Sequence, residues 1–474
     1  MKIEIGKESL FWCVVLAVLL LLLCLWGNGD IPFLSVNEAR RAVTVREMYE
    51  ANNWLLPYMN GSLYLAKPPL FYWLTLVPVH LLGEVSEWAM RLPSALFALS
   101  CLAGVYVLGS KLGGRWVGIF AAIFLAANAG FSMFARRAEI EMSLTGLCLL
   151  SLLSAWPYLF GNGSRRWVLL SYTILGCCLL TKGPVSLLFV SIPILIFALL
   201  QSHQRAKTFL SDGLGWLVAL LIGGSWYFAV TLQEGWGVWQ SILQQDIVDK
   251  VSGDGGEPWY AYLAYLAGDF FPFWLVLFIR PRQLWQKIRT VPEFNLLACA
   301  ALVPLLIFSL FTDKHAKYLL PTYPVIALLL AYHWVRVLTS VQGGRRSILT
   351  WLPPLTLICF VGFYAVFERQ VFAYRVQALP GIRVATAANP AQTIYSLGPP
   401  DMRLVFYAGR SIQELTEDQV RSHASRDAQL FVMAPPPTTL SWLSRCATKH
   451  FKPYLKNGKE ALLIQLGNSC QSAL

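Results

Sequence analysis

Charge is scarce in this sequence. Only 14% of its 474 residues are Asp, Glu, Lys or Arg, against about 25% in ordinary soluble proteins. That excludes a conventional water-soluble globule of this length. Nucleotide-binding glycine motifs are missing too: neither a Walker-type loop nor a dinucleotide fingerprint occurs, so ATP-driven transport has no support. The six histidines are scattered, and no zinc-ligand spacing appears. No metal site is expected, no cofactor is required, and no residue pattern supports a divalent cation. Internal repeats, low-complexity tracts and the inverted-repeat signal common in transporters are likewise absent. No small-residue cleavage site follows the first apolar run, at Trp26-Gly27-Asn28-Gly29, and its core is too long for a secretory signal. That run is expected to remain as a membrane span.

What the chain has is apolar length. Hydrophobic residues make up 56% of it, in repeated runs of roughly 17–22 residues, enough to cross a hydrocarbon core of about 30 Å. Spans are expected near 9–28, 92–109, 115–134, 143–160, 167–181, 183–200, 212–232, 263–279, 294–312, 318–337 and 348–367. This is an all-α polytopic membrane protein of about 11 transmembrane helices. The loops on one side are short and basic, with Lys111/Arg115, Arg165/Arg166, Arg205/Lys207, Arg280/Arg282/Lys287/Arg289 and Arg345/Arg346. The bias of Lys and Arg toward the cytoplasm therefore sets the N-terminus inside and the tail outside the cell (inner) membrane. The net charge of +12 is largely accounted for by these loops and implies no nucleic acid. Eight of the ten cysteines fall in expected spans, as small apolar fillers. Cys446 and Cys470 lie in the tail, where an oxidising compartment would permit a disulfide.

Three parts follow: a polar first loop over 29–91, the bundle of spans ending near 367, and a tail over 368–474. The loop opens with a helix from Ser35 to about Ala51, started by a Ser35/Glu38 capping box. It turns at Asn60-Gly61 and ends in "KPPLFYWLTLVPVHLLG", too short to span, aromatic, and suited to lie at the membrane interface. In the tail, "TIYSL" (393–397), "AQLFVMA" (428–434) and "ALLIQL" (461–466) read as strands, with helices over 412–424 and 438–448. A small extracytoplasmic C-terminal α/β domain is expected there.

Charges held at a membrane boundary are costly, so each is a candidate for function. They gather on the outer side: Asn37, Glu38, Arg40 and Lys67 in the first loop; "ARRAEIEM" (135–142); Lys182 between two spans; "QQDIVDK" (244–250); and "TDKHAKYLLPTYP" (312–324). Plainer roles compete for each. Glu38 suits a capping carboxylate, Lys67 a snorkelling lysine, Arg136 and Arg137 anchors at a span end, and Glu139 and Glu141 a solvated turn. Several cations, a few carboxylates and aromatic walls beside lipid fit an amphiphile with a phosphate head.

An amide followed by Glu-Ala-Arg after the first span, then "REM", "NWLLP", "NG" and "KPPLFYWL", resembles the polyprenyl-phosphate-sugar-dependent glycosyltransferases of the GT-C fold. These include the protein O-mannosyltransferases and the lipid A aminoarabinose transferase. "RLPSAL" (91–96), "LLTKGP" (179–184) and "KYLLPTYP" (317–324) extend the likeness in the same order, over about 30–340. The resemblance implies transfer of a sugar from a polyprenyl-phosphate donor to an extracytoplasmic glycolipid, polysaccharide or protein hydroxyl. It places the first-loop acid at Asn37 with Glu38 following, the helix arginine at Arg40, and the tyrosine and lysine around the proline pair at Tyr64 and Lys67. The second acid falls at Glu141 or Glu139, and the tyrosine before the tenth span at Tyr318.

An amide at position 37 cannot take a proton, so either Glu38 or Glu141 is the base or the acceptor needs little help. Gln244, Gln245 and Lys250 replace the long-loop pattern. Lys67, Arg40, Lys250 and Lys317 are the cations expected to stabilise the departing phosphate, with Tyr318 as a hydrogen-bond donor. The class further implies one in-line displacement with inversion. The competing reading is a transporter or flippase of a lipid-linked sugar, which would use the same amphiphilic site without breaking a bond.

Overall fold

A chain inside lipid must satisfy its backbone polar groups within itself, and helices do so. The computed structural model describes residues 7–239, 257–371, 382–384, 386–388, 393–426, 431–434, 447–451 and 462–466. Among them, seven helices are long and apolar enough to cross a membrane, or eight if one bent pair counts as a span. About eleven were expected, and the difference lies in where the apolar runs break. Residues 263–279 do not form one helix. A helix ends at Asp269, and a 3-10 turn over Phe273–Phe278 follows Pro272, whose missing N–H cannot continue a helical ladder. The run over 115–134 is two helices, Arg115–Ala126 and Ala129–Ala135, bent by 73°. The Asn128 side chain caps the second by accepting from the Phe131 N–H at 2.8 Å. Residues 165–200 form one apolar stretch interrupted by a 3-10 turn over Gly183–Phe189. The first apolar helix, Lys7–Leu25, has 19 residues, and the Leu70–Leu82 helix only 13. The latter buries Phe71, Tyr72, Leu76 and Val79 while exposing Val77, Leu81 and Leu82, a one-sided pattern on a helix too short to span.

The chain divides into two compact units. One comprises residues 1–26, 65–75 and 91–365; the other comprises 27–64, 76–90 and 366–474. The expected boundary at 367/368 lies close to the division at 365/366, and residues 27–64 and 76–90 of the first loop belong to the same unit as the tail.

In the first unit, helix Arg165–Lys182 packs between Ile140–Phe160 and Gly213–Glu234. The last of these presents Gly215, Ala219 and Gly223, all buried, at four-residue spacing. Small residues at that spacing let helices approach closely in a membrane. A Cβ on Gly215 would run into the Tyr172 ring, and one on Gly223 would sit 2.6 Å from Leu179 Cβ. Tyr172 also donates to the Phe209 carbonyl at 2.8 Å. Gly223→Leu is therefore expected to destabilise the bundle by about 1–3 kcal/mol, seen as a lower melting temperature of purified protein in detergent. At the head of the Gly213–Glu234 helix, Asp212 caps Gly215 N–H at 2.8 Å. The Arg165 guanidinium beside it holds the Asp212 carboxyl below the usual range.

In the second unit, Ser35 caps the Val36–Glu50 helix by accepting from Asn37 N–H. Strands β1 (Tyr58–Met59) and β2 (Ser62–Leu63) form a hairpin whose Asn60 and Gly61 both have positive φ, the chemistry of a tight two-residue turn. Glu47 accepts from both turn N–H groups, at 2.8 and 3.0 Å. The tail forms a five-stranded sheet in the order β4-β3-β5-β7-β6. Its strands are β3 (Ile394–Leu397), β4 (Gln413–Leu415), β5 (Phe431–Ala434), β6 (Ala447–Phe451) and β7 (Leu462–Leu466). β3 pairs parallel with β4 and β5, whereas β7 pairs antiparallel with β5 and β6.

The three segments expected as strands contain β3, β5 and β7. The helix expected over 412–424 begins as β4 and turns helical only at Glu417. Thr416 and Gln419 exchange backbone-to-side-chain hydrogen bonds at that point, a capping box that marks the true start. The helix expected over 438–448 falls outside the described residues up to 446, and 447–448 belong to β6. Cys446 and Cys470 also lie outside them. The tail and the first-loop residues interlock: Arg46 donates to the carbonyls of Val405 and Phe406, and Tyr407 accepts from Phe33 N–H and donates to Glu87.

Candidate functional site

The segment 136–141 joins two helices of the first unit and carries four charges, and its backbone sorts them. Arg136 ends the preceding helix and turns its guanidinium to the carbonyls of Leu23 and Trp26, at 2.9 and 2.7 Å. It closes the C-terminus of the first apolar helix, where carbonyls lack intrahelical partners. Glu139 is extended, at the cap position of the Ile140–Phe160 helix, and Glu141 lies in its first turn. The change from extended to helical backbone brings both carboxylates toward the same lysine. Both are buried, 2% and 5% exposed.

Buried carboxylates persist only when paired, and here the partners come from distant parts of the chain. Lys317 Nζ lies 3.3 Å from Glu139 Oε2 and 3.6 Å from Glu141 Oε1. Lys182 Nζ lies 3.4 Å from Glu141 Oε1 and 5.0 Å from the centre of the Tyr318 ring. Gly183 shows why Lys182 arrives there: its φ of +68° ends the helix immediately after the lysine, in a conformation that glycine adopts freely. Lys67 approaches closely enough to interact electrostatically with Lys182. Several lysine ammonium groups brought together in this way suit a phosphate group.

Beside the cluster is a cavity of about 160 Å³, which Lys317 shares with Asp269, Tyr323, Met133, Phe134 and Leu320. Asp269 accepts from Gly130 N–H at 3.1 Å and from the Tyr323 hydroxyl, which ties three segments of the wall together. A charged group at one side and largely apolar walls elsewhere fit the two chemistries of an amphiphile.

The structure therefore gathers Lys67, Glu139, Glu141, Lys317 and Tyr318 from three parts of the sequence, together with Lys182, which the sequence singled out as a boundary charge without a specific role. Lys250, Gln244 and Gln245 fall outside the described residues. Asn37, Glu38, Arg40 and Tyr64 belong to the other unit. There Glu38 is buried, 1% exposed, in the first turn of the Val36–Glu50 helix, and Asn37 is half-buried. Arg40 is exposed; its neighbour Arg41 is the buried arginine, donating to the Tyr64 hydroxyl at 3.4 Å with its guanidinium 5.9 Å from that ring. The signal was present in the sequence. Position 41 is three residues from Glu38 and shares its helix face, whereas position 40 is turned about 200° away.

Residues 66–226 match the family described as dolichyl-phosphate-mannose-protein mannosyltransferase. The fold matches ArnT from Cupriavidus metallidurans, in a crystal structure with undecaprenyl phosphate bound. The TM-score is 0.80 at 17% identity, covering 96% of this chain and 98% of that one. The chain has the GT-C fold. A more distant GT-C neighbour is the oligosaccharyltransferase of Archaeoglobus fulgidus, with a TM-score of 0.57 at 11% identity over 88% of this chain and 66% of that one.

By sequence, this GT-C chain is 28% identical over 347 residues to undecaprenyl phosphate-α-4-amino-4-deoxy-L-arabinose arabinosyl transferase 1 of Pseudomonas fluorescens, covering 71% of this chain and 61% of that one. It is 29% identical over 351 residues to the corresponding transferase of Pectobacterium atrosepticum, covering 72% and 61%. The alignments thus span about three fifths of the length of these curated relatives.

Proposed function

We propose that this protein is an integral-membrane glycosyltransferase that moves a sugar from a polyprenyl-phosphate donor to an extracytoplasmic acceptor. The observation that carries the reading is the buried cluster of Glu139, Glu141, Lys182 and Lys317 with Lys67 beside it, in a GT-C fold whose named relatives act on an undecaprenyl-phosphate sugar. The donor leaves as a phosphate, and fixed lysine charge stabilises that leaving group without needing a chelated cation. Lys67 and Lys317 are the first choices for this contact, with Tyr318 lending a hydrogen bond. A carboxylate, Glu141 or Glu38, takes the acceptor hydroxyl's proton, and direct attack inverts the anomeric centre.

The acceptor is a glycolipid of the lipid A type, as the relatives' aminoarabinose donor suggests. The protein is placed in the inner membrane with the N-terminus cytoplasmic and residues 368–474 outside, on the strength of the basic short loops. Mass spectrometry of glycolipids and glycoproteins from cells with and without the protein tests the reading. A glycolipid one sugar lighter in the deletion strain is expected, and identical glycolipids in both would refute a glycolipid acceptor. Chelation with EDTA is expected to leave the purified enzyme's rate within about twofold of its starting value.

A further inference from the structure

The residues between Phe270 and Pro292 contain no acid, yet carry Arg280, Arg282, Lys287 and Arg289. The helix Pro281–Thr290 holds three of these four and buries none of its residues. At about 100° per residue, Leu284, Trp285 and Ile288 share one face, Arg282 and Arg289 border it on one edge, and Lys287 borders it on the other. The Lys287 edge turns to the protein, with Nζ 5.3 Å from the Phe294 ring and 5.8 Å from the Tyr332 ring. The opposite edge is open. Trp285 is 58% exposed, and the Arg289 guanidinium lies 5.8 Å from its ring. Arg282 is exposed as well. Phe278 and Ile279, just before the helix, are also exposed, at 74% and 40%.

An apolar face bordered by cations is the pattern of a helix lying at the membrane interface, and an exposed tryptophan suits the headgroup level. Guanidinium groups bind phosphate oxygens in a forked geometry that lysine cannot match. We propose that the open edge of this helix, Arg282, Trp285 and Arg289 with Arg280 beside it, is a binding surface for the headgroups of anionic phospholipids. Charge complementarity selects that occupant: four cations with no acid among them attract a lipid of net negative charge, and a zwitterionic lipid offers none. The surface is separate from the acid–lysine cluster and does not depend on how that cluster is used.

Native mass spectrometry of the full-length protein tests this. Delipidated protein in detergent is titrated with phosphatidylglycerol or with phosphatidylcholine, and retained lipids are counted. The variant Arg282→Gln/Arg289→Gln is expected to retain at least fivefold less phosphatidylglycerol than wild type, with phosphatidylcholine unchanged. Arg345→Gln/Arg346→Gln, which removes two other exposed arginines, is expected to behave as wild type. Equal phosphatidylglycerol retention by the first variant would overturn the proposal. So would an equal loss in the second, which would reduce the effect to diffuse attraction. Should the double variant melt early in detergent, the single Arg282→Gln variant decides, with the expected loss at least twofold and no loss overturning the proposal.

Discussion

Glu141→Gln is expected to lower turnover by about 10²-fold or more, while the donor lipid is still bound. Glutamine keeps the size and the hydrogen-bond acceptor but neither the charge nor the ability to take a proton. Lys182 and Lys317 both lie within 3.6 Å of this carboxylate. Besides serving as the proposed base, this carboxylate fixes where the two ammonium groups point. The two functions separate in the kinetics. Loss of a base removes the acidic limb of the pH–rate profile and falls on kcat, whereas misplacing the lysines falls on KM for the donor. Glu38→Gln is the necessary companion, because Asn37 leaves the two glutamates as the competing bases. If both single variants and the double variant turned over normally, neither glutamate would be acting as base. The acceptor would then have to be already ionised.

Lys67→Ala is expected to lose most activity while still inserting in the membrane. Losing one charge-assisted contact to a phosphate costs roughly 1.5–3 kcal/mol. If the contact tightens as the phosphate leaves, that corresponds to roughly 10–150-fold in rate, at tenfold per 1.36 kcal/mol. Lys67 is well suited to such a contact because Pro68 and Pro69 restrict the backbone that carries it. Lys67→Arg keeps the charge but changes its shape and is expected to recover only part of the rate. Near-normal turnover of purified Lys67→Ala protein would remove Lys67 from the site.

Periodicity made much of the fold legible. The strands β3, β5 and β7, the hairpin turn at Asn60-Gly61, the cap at Ser35 and the break after Lys182 are local events, decided by a few neighbouring residues. The count of spans was less legible, because a run such as 263–279 is apolar enough to cross a membrane yet contains Pro272. Hydropathy does not register a missing N–H. The missed start of the Glu417–Arg426 helix has a similar cause: the Thr416/Gln419 box was present but lay inside a segment already read as helical. In the site, residue types were legible and partners were not. Glu139 and Glu141 could be singled out as costly charges, but Lys182 and Lys317 lie 41 and 178 residues away from the carboxylates they meet. No spacing rule reaches that far. Helix phase also separates exposed Arg40 from its buried neighbour Arg41.

Following a donor labelled with 13C at the anomeric carbon tests the central claim most directly. The purified wild-type protein is supplied with polyprenyl-phosphate sugar and a glycolipid acceptor, and the lipids are read by NMR and mass spectrometry. Equal amounts of free polyprenyl phosphate and glycosylated acceptor are predicted, with the anomeric configuration inverted and the yield lost in Glu141→Gln. A donor moved across the bilayer of reconstituted vesicles but recovered with its sugar–phosphate bond intact would contradict the account.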